Sequence, residues 1–85
     1  MRDKVRAYDY IMTPHARIEM VDDGLFIEDV DRIILTGEIV ERQKDHLSSE
    51  WKYVIEGQTE AYERGYVVAK LDLNDDLVII TVYVE

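Results

Sequence analysis

Two runs rich in β-branched and aromatic residues, Tyr66 to Asp72 and Leu77 to Val84, are separated by only Leu73, Asn74, Asp75 and Asp76, and this spacing restricts the fold more than any other feature. A connection that short closes an antiparallel hairpin, because a parallel crossover needs a dozen or more residues. Two earlier runs of similar character, Glu38 to Arg42 and Trp51 to Glu56, bring the expected number of strands to four. Alternation directs Val67, Ala69 and Leu71, with Val78, Ile80, Val82 and Val84, toward one face, read as the core. The other face then carries Tyr66, Val68, Lys70 and Asp72 with Leu77, Ile79, Thr81 and Tyr83. An exposed binding surface, cover by the N-terminal segment and cover by a second copy of the chain all account for so mixed a face.

The first half reads differently. Thr13-Pro14 combines an N-cap hydroxyl with a residue that has no amide to leave unpaired, so a helix is expected from about Pro14 to Asp22. Ala16, Ile18, Met20 and Val21 form a broad apolar arc on it, with Arg17 near the middle. Gly24 ends this helix, and a second begins near Phe26 or Ile27. Phe26, Ile27, Val30, Ile33 and Ile34 share its apolar face, Glu28, Asp29, Asp31 and Arg32 its polar one, and Gly37 stops it. The expected architecture is α+β: two N-terminal helices packed on a mostly antiparallel four-stranded sheet. Residues 1–12 are read as a partly extended segment and 13–85 as one domain, since 85 residues support a single core and no linker-like stretch interrupts them.

Composition narrows the function classes. There is no cysteine, and His15 and His46 alone cannot fill a conventional zinc site, so neither a metal nor another cofactor is expected. No apolar run approaches a membrane span, and the N-terminus has charges where a signal peptide is apolar, which favours a cytoplasmic protein. Nineteen acidic against ten basic residues give a formal charge of −9, which disfavours RNA and favours a basic partner. Arg2, Lys4, Arg6 and Arg17 nevertheless leave room for a local basic surface.

Few residues carry chemistry. His15, in a first helical turn, suits acid–base work, and it equally suits a surface pair with Glu19 one turn on. Arg17, inside an apolar arc, faces a phosphate in a cleft, snorkels out to solvent or finds an internal carboxylate. Lys70, Thr81 and Tyr83 on one sheet face offer a cation, a hydroxyl and a ring that stacks on a base, and the same trio is ordinary sheet surface. Phosphate loops, nucleophile elbows, zinc helices and calcium loops do not occur in the sequence.

The ordered set His15-Ala16-Arg17, Met20, Gly24, Glu28-Asp29-Val30, Thr36-Gly37-Glu38-Ile39, Gly57, Gly65 and Ile80-Thr81-Val82-Tyr83 resembles the domain-of-unknown-function family 4258. The resemblance runs from about Thr13 to the end and departs at Asp23, where relatives tend to carry arginine. It implies a fold similar to the RelE and MqsR toxins and, with it, a metal-independent endoribonuclease of a bacterial toxin–antitoxin pair whose partner is an antitoxin protein. His15 and Tyr83 would then be catalytic, and Arg17, Lys70 and Thr81 would bind RNA phosphates. The alternative is a non-catalytic acidic domain that docks a basic protein.

Overall fold

The computed structural model describes residues 10–44, Leu47 and residues 50–85. The extended segment expected before Tyr10, the basic residues Arg2, Lys4 and Arg6, and His46 lie outside the described residues. In chain order the elements are β1 (Tyr10–Met12), α1 (Pro14–Asp22), α2 (Ile27–Thr36), β2 (Glu38–Lys44), β3 (Trp51–Gln58), β4 (Arg64–Leu71) and β5 (Leu77–Val84).

The hairpin forms as expected. β4 and β5 are antiparallel, and Asp72 organises the turn by accepting hydrogen bonds on Oδ1 from the amides of Asn74 and Asp76, both at 2.9 Å. β3 pairs antiparallel with β4, and β2 with β3. The expected four-stranded, mostly antiparallel, RelE- or MqsR-like sheet is nevertheless corrected: the sheet has five strands in the order β1-β5-β4-β3-β2 and is mixed, because β1 lies parallel to β5. Tyr10, Ile11 and Met12 align with Leu77, Val78 and Ile79. Three residues with no room for alternation carry no strand signal of their own, and the partner that makes them a strand lies far away in sequence.

A bulge corrects the faces of β5. Val68 is opposite Thr81 but Ala69 is opposite Ile79, so Ile80 is the extra residue and the alternation changes phase there. Leu77 and Ile79, expected on the outer face, are fully buried with Val82, while Val78 and Ile80 are only half-buried.

Beyond Ile79 β1 ends, and the outer side of β5 is taken by the start of α1. The Thr13 amide donates to the Ile79 carbonyl at 3.0 Å and its hydroxyl to the Ile80 carbonyl at 3.1 Å. The same hydroxyl caps α1 by accepting from the Ala16 amide at 3.1 Å. One short polar side chain thus fixes both where α1 begins and where it docks. The broad apolar arc expected on α1 is corrected: Ala16 is buried and Met20 half-buried, but Ile18 and Val21 are exposed.

α2 is the amphipathic helix of the core, burying Val30, Ile33 and Ile34 against β3 and β4. The seat is a cross-strand glycine pair, Gly57 opposite Gly65. A Cβ at Gly57 would lie 2.5 Å from the Ile33 carbonyl oxygen, and one at Gly65 would lie 2.6 Å from Ile33 Cδ1. The missing side chains let helix backbone approach strand backbone, and Ile33 fills the space. Burying a side chain of that size is worth about 1.5–3 kcal/mol.

Asp29, expected on the polar face of α2, is buried instead. Its Oδ2 accepts from the Phe26 amide at 2.8 Å, capping the helix, and its Oδ1 accepts from the Glu60 amide, also at 2.8 Å. The helix start is thereby tied to the loop between β3 and β4. Gly24, at φ 68°, makes the expected turn between α1 and α2.

Candidate functional site: the α1–β5 seam and the outer sheet face

At the seam, α1 presents His15 and Glu19 one turn apart, on the same side of the helix. His15 Nε2 is 2.8 Å from Glu19 Oε1, and the Thr81 hydroxyl donates to the same carboxylate oxygen. One carboxylate therefore joins an imidazole on α1 to a hydroxyl on β5. The His15 side chain is 70 % exposed while Glu19 is mostly covered. An imidazole that donates through Nε2–H to this carboxylate is held in one orientation, with Nδ1 on the opposite side of the ring.

Tyr83 follows Thr81 by two residues on β5 and stacks on Tyr66 of β4, its cross-strand neighbour, with ring centroids 4.8 Å apart and planes 15° from parallel. The Tyr66 hydroxyl donates to Glu85 Oε1 at 2.9 Å, and Arg64 reaches Glu85 and Glu56, each at 3.3 Å. Partial desolvation on the sheet, and then the hydrogen bond to the Glu85 carboxylate, raise the Tyr66 phenol above its ordinary pKa. The carboxylates of Glu85 and Glu56 raise the already high value of Arg64.

Of the residues expected to form a site, His15 and Thr81 are joined through Glu19 and Tyr83 lies next along the strand. Two do not join them. Arg17 is exposed, about 200° around α1 from His15. Lys70 is opposite Val78 and forms an ion pair with Glu50 at 3.2 Å, so its charge is already engaged. Glu19 entered the sequence reading only as a surface partner of His15, although the i, i+4 spacing pointed to the contact itself. Tyr66 lay on the expected outer face, and the Tyr66–Tyr83 register is what makes it part of an aromatic pair.

A cleft of about 310 Å³ opens farther along the same face, lined by Glu56, Gly57, Gln58, Tyr62 and Arg64. Glu56, Tyr66 and Tyr83 form one cross-strand row, so the cleft and the seam lie on neighbouring parts of one surface. Among the described residues, no helix is long and apolar enough to cross a membrane.

No curated protein and no solved structure matches the chain. The family model described as Domain of unknown function (DUF4258) matches residues 12–84, which takes in every element described above except the first two residues of β1 and the sheet's C-terminal neighbour Glu85. With nearly its whole length inside that match, the chain belongs to the DUF4258 family.

Proposed function

We propose that the protein is a toxin-like endoribonuclease that cleaves RNA without a metal ion and is held in check by an antitoxin protein. The observation that carries this reading is the exposed His15 imidazole, oriented by a carboxylate that also holds Thr81. In the reaction His15 Nδ1 takes the proton of a ribose 2′-hydroxyl as that oxygen attacks the adjacent phosphorus. The bond from phosphorus to the 5′ oxygen breaks, the departing oxygen is protonated by Tyr83 or water, and the products are a 2′,3′-cyclic phosphate and a 5′-hydroxyl. Tyr66 and Tyr83 supply a stacking surface for a base beside the scissile bond. Neither Arg17 nor Lys70 is assigned a place in the cleavage step.

The test is incubation of purified protein with RNA, together with growth of bacteria after induced expression. The wild type is expected to cleave and to arrest growth. His15→Ala is expected to lose about 100-fold or more in rate, the usual contribution of a general acid or base. Absence of cleavage by the folded wild type, or full activity of His15→Ala, would overturn the reading.

A second reading, a non-catalytic domain docking a basic protein, is favoured by one specific observation. Two cations on the outer sheet face are engaged by the chain's own acids, Lys70 by Glu50 and Arg64 by Glu56 and Glu85, which leaves these two less able to hold phosphates. Capture of a basic partner by a chain that cleaves nothing would support it.

A further inference from the structure

We infer that the cleft of Glu56, Gly57, Gln58, Tyr62 and Arg64 is a binding pocket for guanine, which deepens the ribonuclease reading by naming the base the protein selects. Complementary hydrogen-bonding groups stand side by side in this cleft. Glu56 Oε1 is 3.3 Å from Arg64 Nε, and both side chains keep access to solvent, 34 % and 58 % exposed. A carboxylate accepts about four hydrogen bonds, so Glu56 retains Oε2 for a pair of N–H donors. Arg64 spends Nε on Glu56 and one terminal nitrogen on Glu85 and also makes a side-chain hydrogen bond with Tyr66, which still leaves donors among its five N–H groups.

Guanine matches this pair in a way no other base does. Its N1–H and exocyclic amino group are adjacent donors for the carboxylate, and its O6 and N7 are acceptors for a guanidinium. Adenine lacks both the N1–H and the O6, and the pyrimidines lack the N7. The ion pair between Glu56 and Arg64 is exposed and weak, so opening it to admit a base costs little.

The remaining walls fit the same ligand. Tyr62 is 73 % exposed, and the Arg32 guanidinium lies 5.2 Å from its ring centroid, steadying the ring that a base would stack on. Gln58, opposite Arg64 in the β3–β4 ladder, adds an amide able to donate and accept. The cleft volume of about 310 Å³ is at the lower end for small-ligand sites. From Glu56 to Tyr83 is two strand spacings, about 10 Å, which places the pocket a nucleotide or two from the α1–β5 seam.

The experiment is titration of the purified chain with the 5′-monophosphates of guanosine, adenosine, cytidine and uridine, followed by NMR shifts of the cleft residues. The guanosine nucleotide is expected to bind at least about tenfold more tightly than the adenosine one, the discrimination of a good paired contact. Glu56→Gln is expected to erase that preference. Tyr62→Asn, whose side chain tolerates the left-handed backbone at φ 62°, is expected to weaken all four while preserving the fold seen by circular dichroism. Equal binding of the four, no shifts up to about 10 mM ligand, or a preference that survives Glu56→Gln would overturn the inference. The two readings fail separately: His15-dependent cleavage indifferent to guanine overturns the pocket alone, whereas selective guanosine binding by a chain that cleaves no RNA upholds the pocket and overturns the ribonuclease.

Discussion

Two carboxylates each decide how two distant pieces of this chain meet. Glu19 joins His15 to Thr81, and Asp29 joins the start of α2 to the β3–β4 loop. The two differ in burial and so in expected effect. Replacing buried Asp29 with alanine strands two amides, and urea denaturation is expected to show a loss of about 2–4 kcal/mol, with Asp29→Asn losing roughly half because its amide oxygen still accepts one of the bonds. Tyr66 sets an alkaline limit of its own. Its folded pKa is raised, so the stability it contributes is present below the ordinary tyrosine range and is lost as pH rises through the folded value. Thermal melts above about pH 10 are expected to fall more steeply for the wild type than for Tyr66→Phe, which has no phenol to ionise. At this scale His15 and Glu19 were legible in the sequence, because helical spacing alone brings them together. Thr81 was recognisable as a polar residue in an apolar strand, but its partner was not, since 62 residues separate it from Glu19.

Among the elements, the contact that most constrains the core is α2 on the glycine pair of β3 and β4. An alanine at Gly57 meets Ile33 backbone atoms, which cannot yield without moving the helix, so Gly57→Ala is expected to cost about 2–3 kcal/mol in chemical denaturation. At Gly65 the nearest atom is Ile33 Cδ1, which Ile33→Val removes. The double variant Gly65→Ala, Ile33→Val is therefore expected to be more stable than the sum of the single losses predicts, by about 0.5 kcal/mol or more in a double-mutant cycle, and strict additivity would show that the two residues do not share the space. The sequence reading located both helices and four strands to within a few residues because capping, glycine stops and a short turn are local signals. It missed β1, too short to alternate. It also assigned the wrong phase to Leu77 and Ile79, because β5 reads Leu-Val-Ile-Ile-Thr-Val-Tyr-Val and is apolar at nearly every position, so nothing local announces the bulge at Ile80.

At the scale of the molecule, electrostatics dominates what composition alone foretold. A formal charge of −9 on 85 residues means mutual repulsion among surface carboxylates, which screening by salt relieves. The melting temperature is expected to rise between about 10 and 150 mM sodium chloride at neutral pH, and a fall would show that the ion pairs on the outer sheet face outweigh the repulsion. Most of the overall arrangement followed from local pattern, whereas the parallel pairing of β1 with β5 and the docking of α1 beside it depend on contacts between the two ends of the described region, which no local window contains.

That same closure has a consequence for when the site exists. Thr13 reaches Ile80, and Glu19 reaches Thr81, across 67 and 62 residues respectively. A chain emerging from the ribosome displays His15 and Glu19 before the Thr81 hydroxyl that completes the constellation, which follows Glu19 by 62 residues. Until β5 has been released and has inserted between β1 and β4, there is no seam, and a nascent chain is expected to be inert. Whatever chemistry the seam performs is therefore confined to chains in which β5 has taken its place, a temporal safeguard written into the strand order.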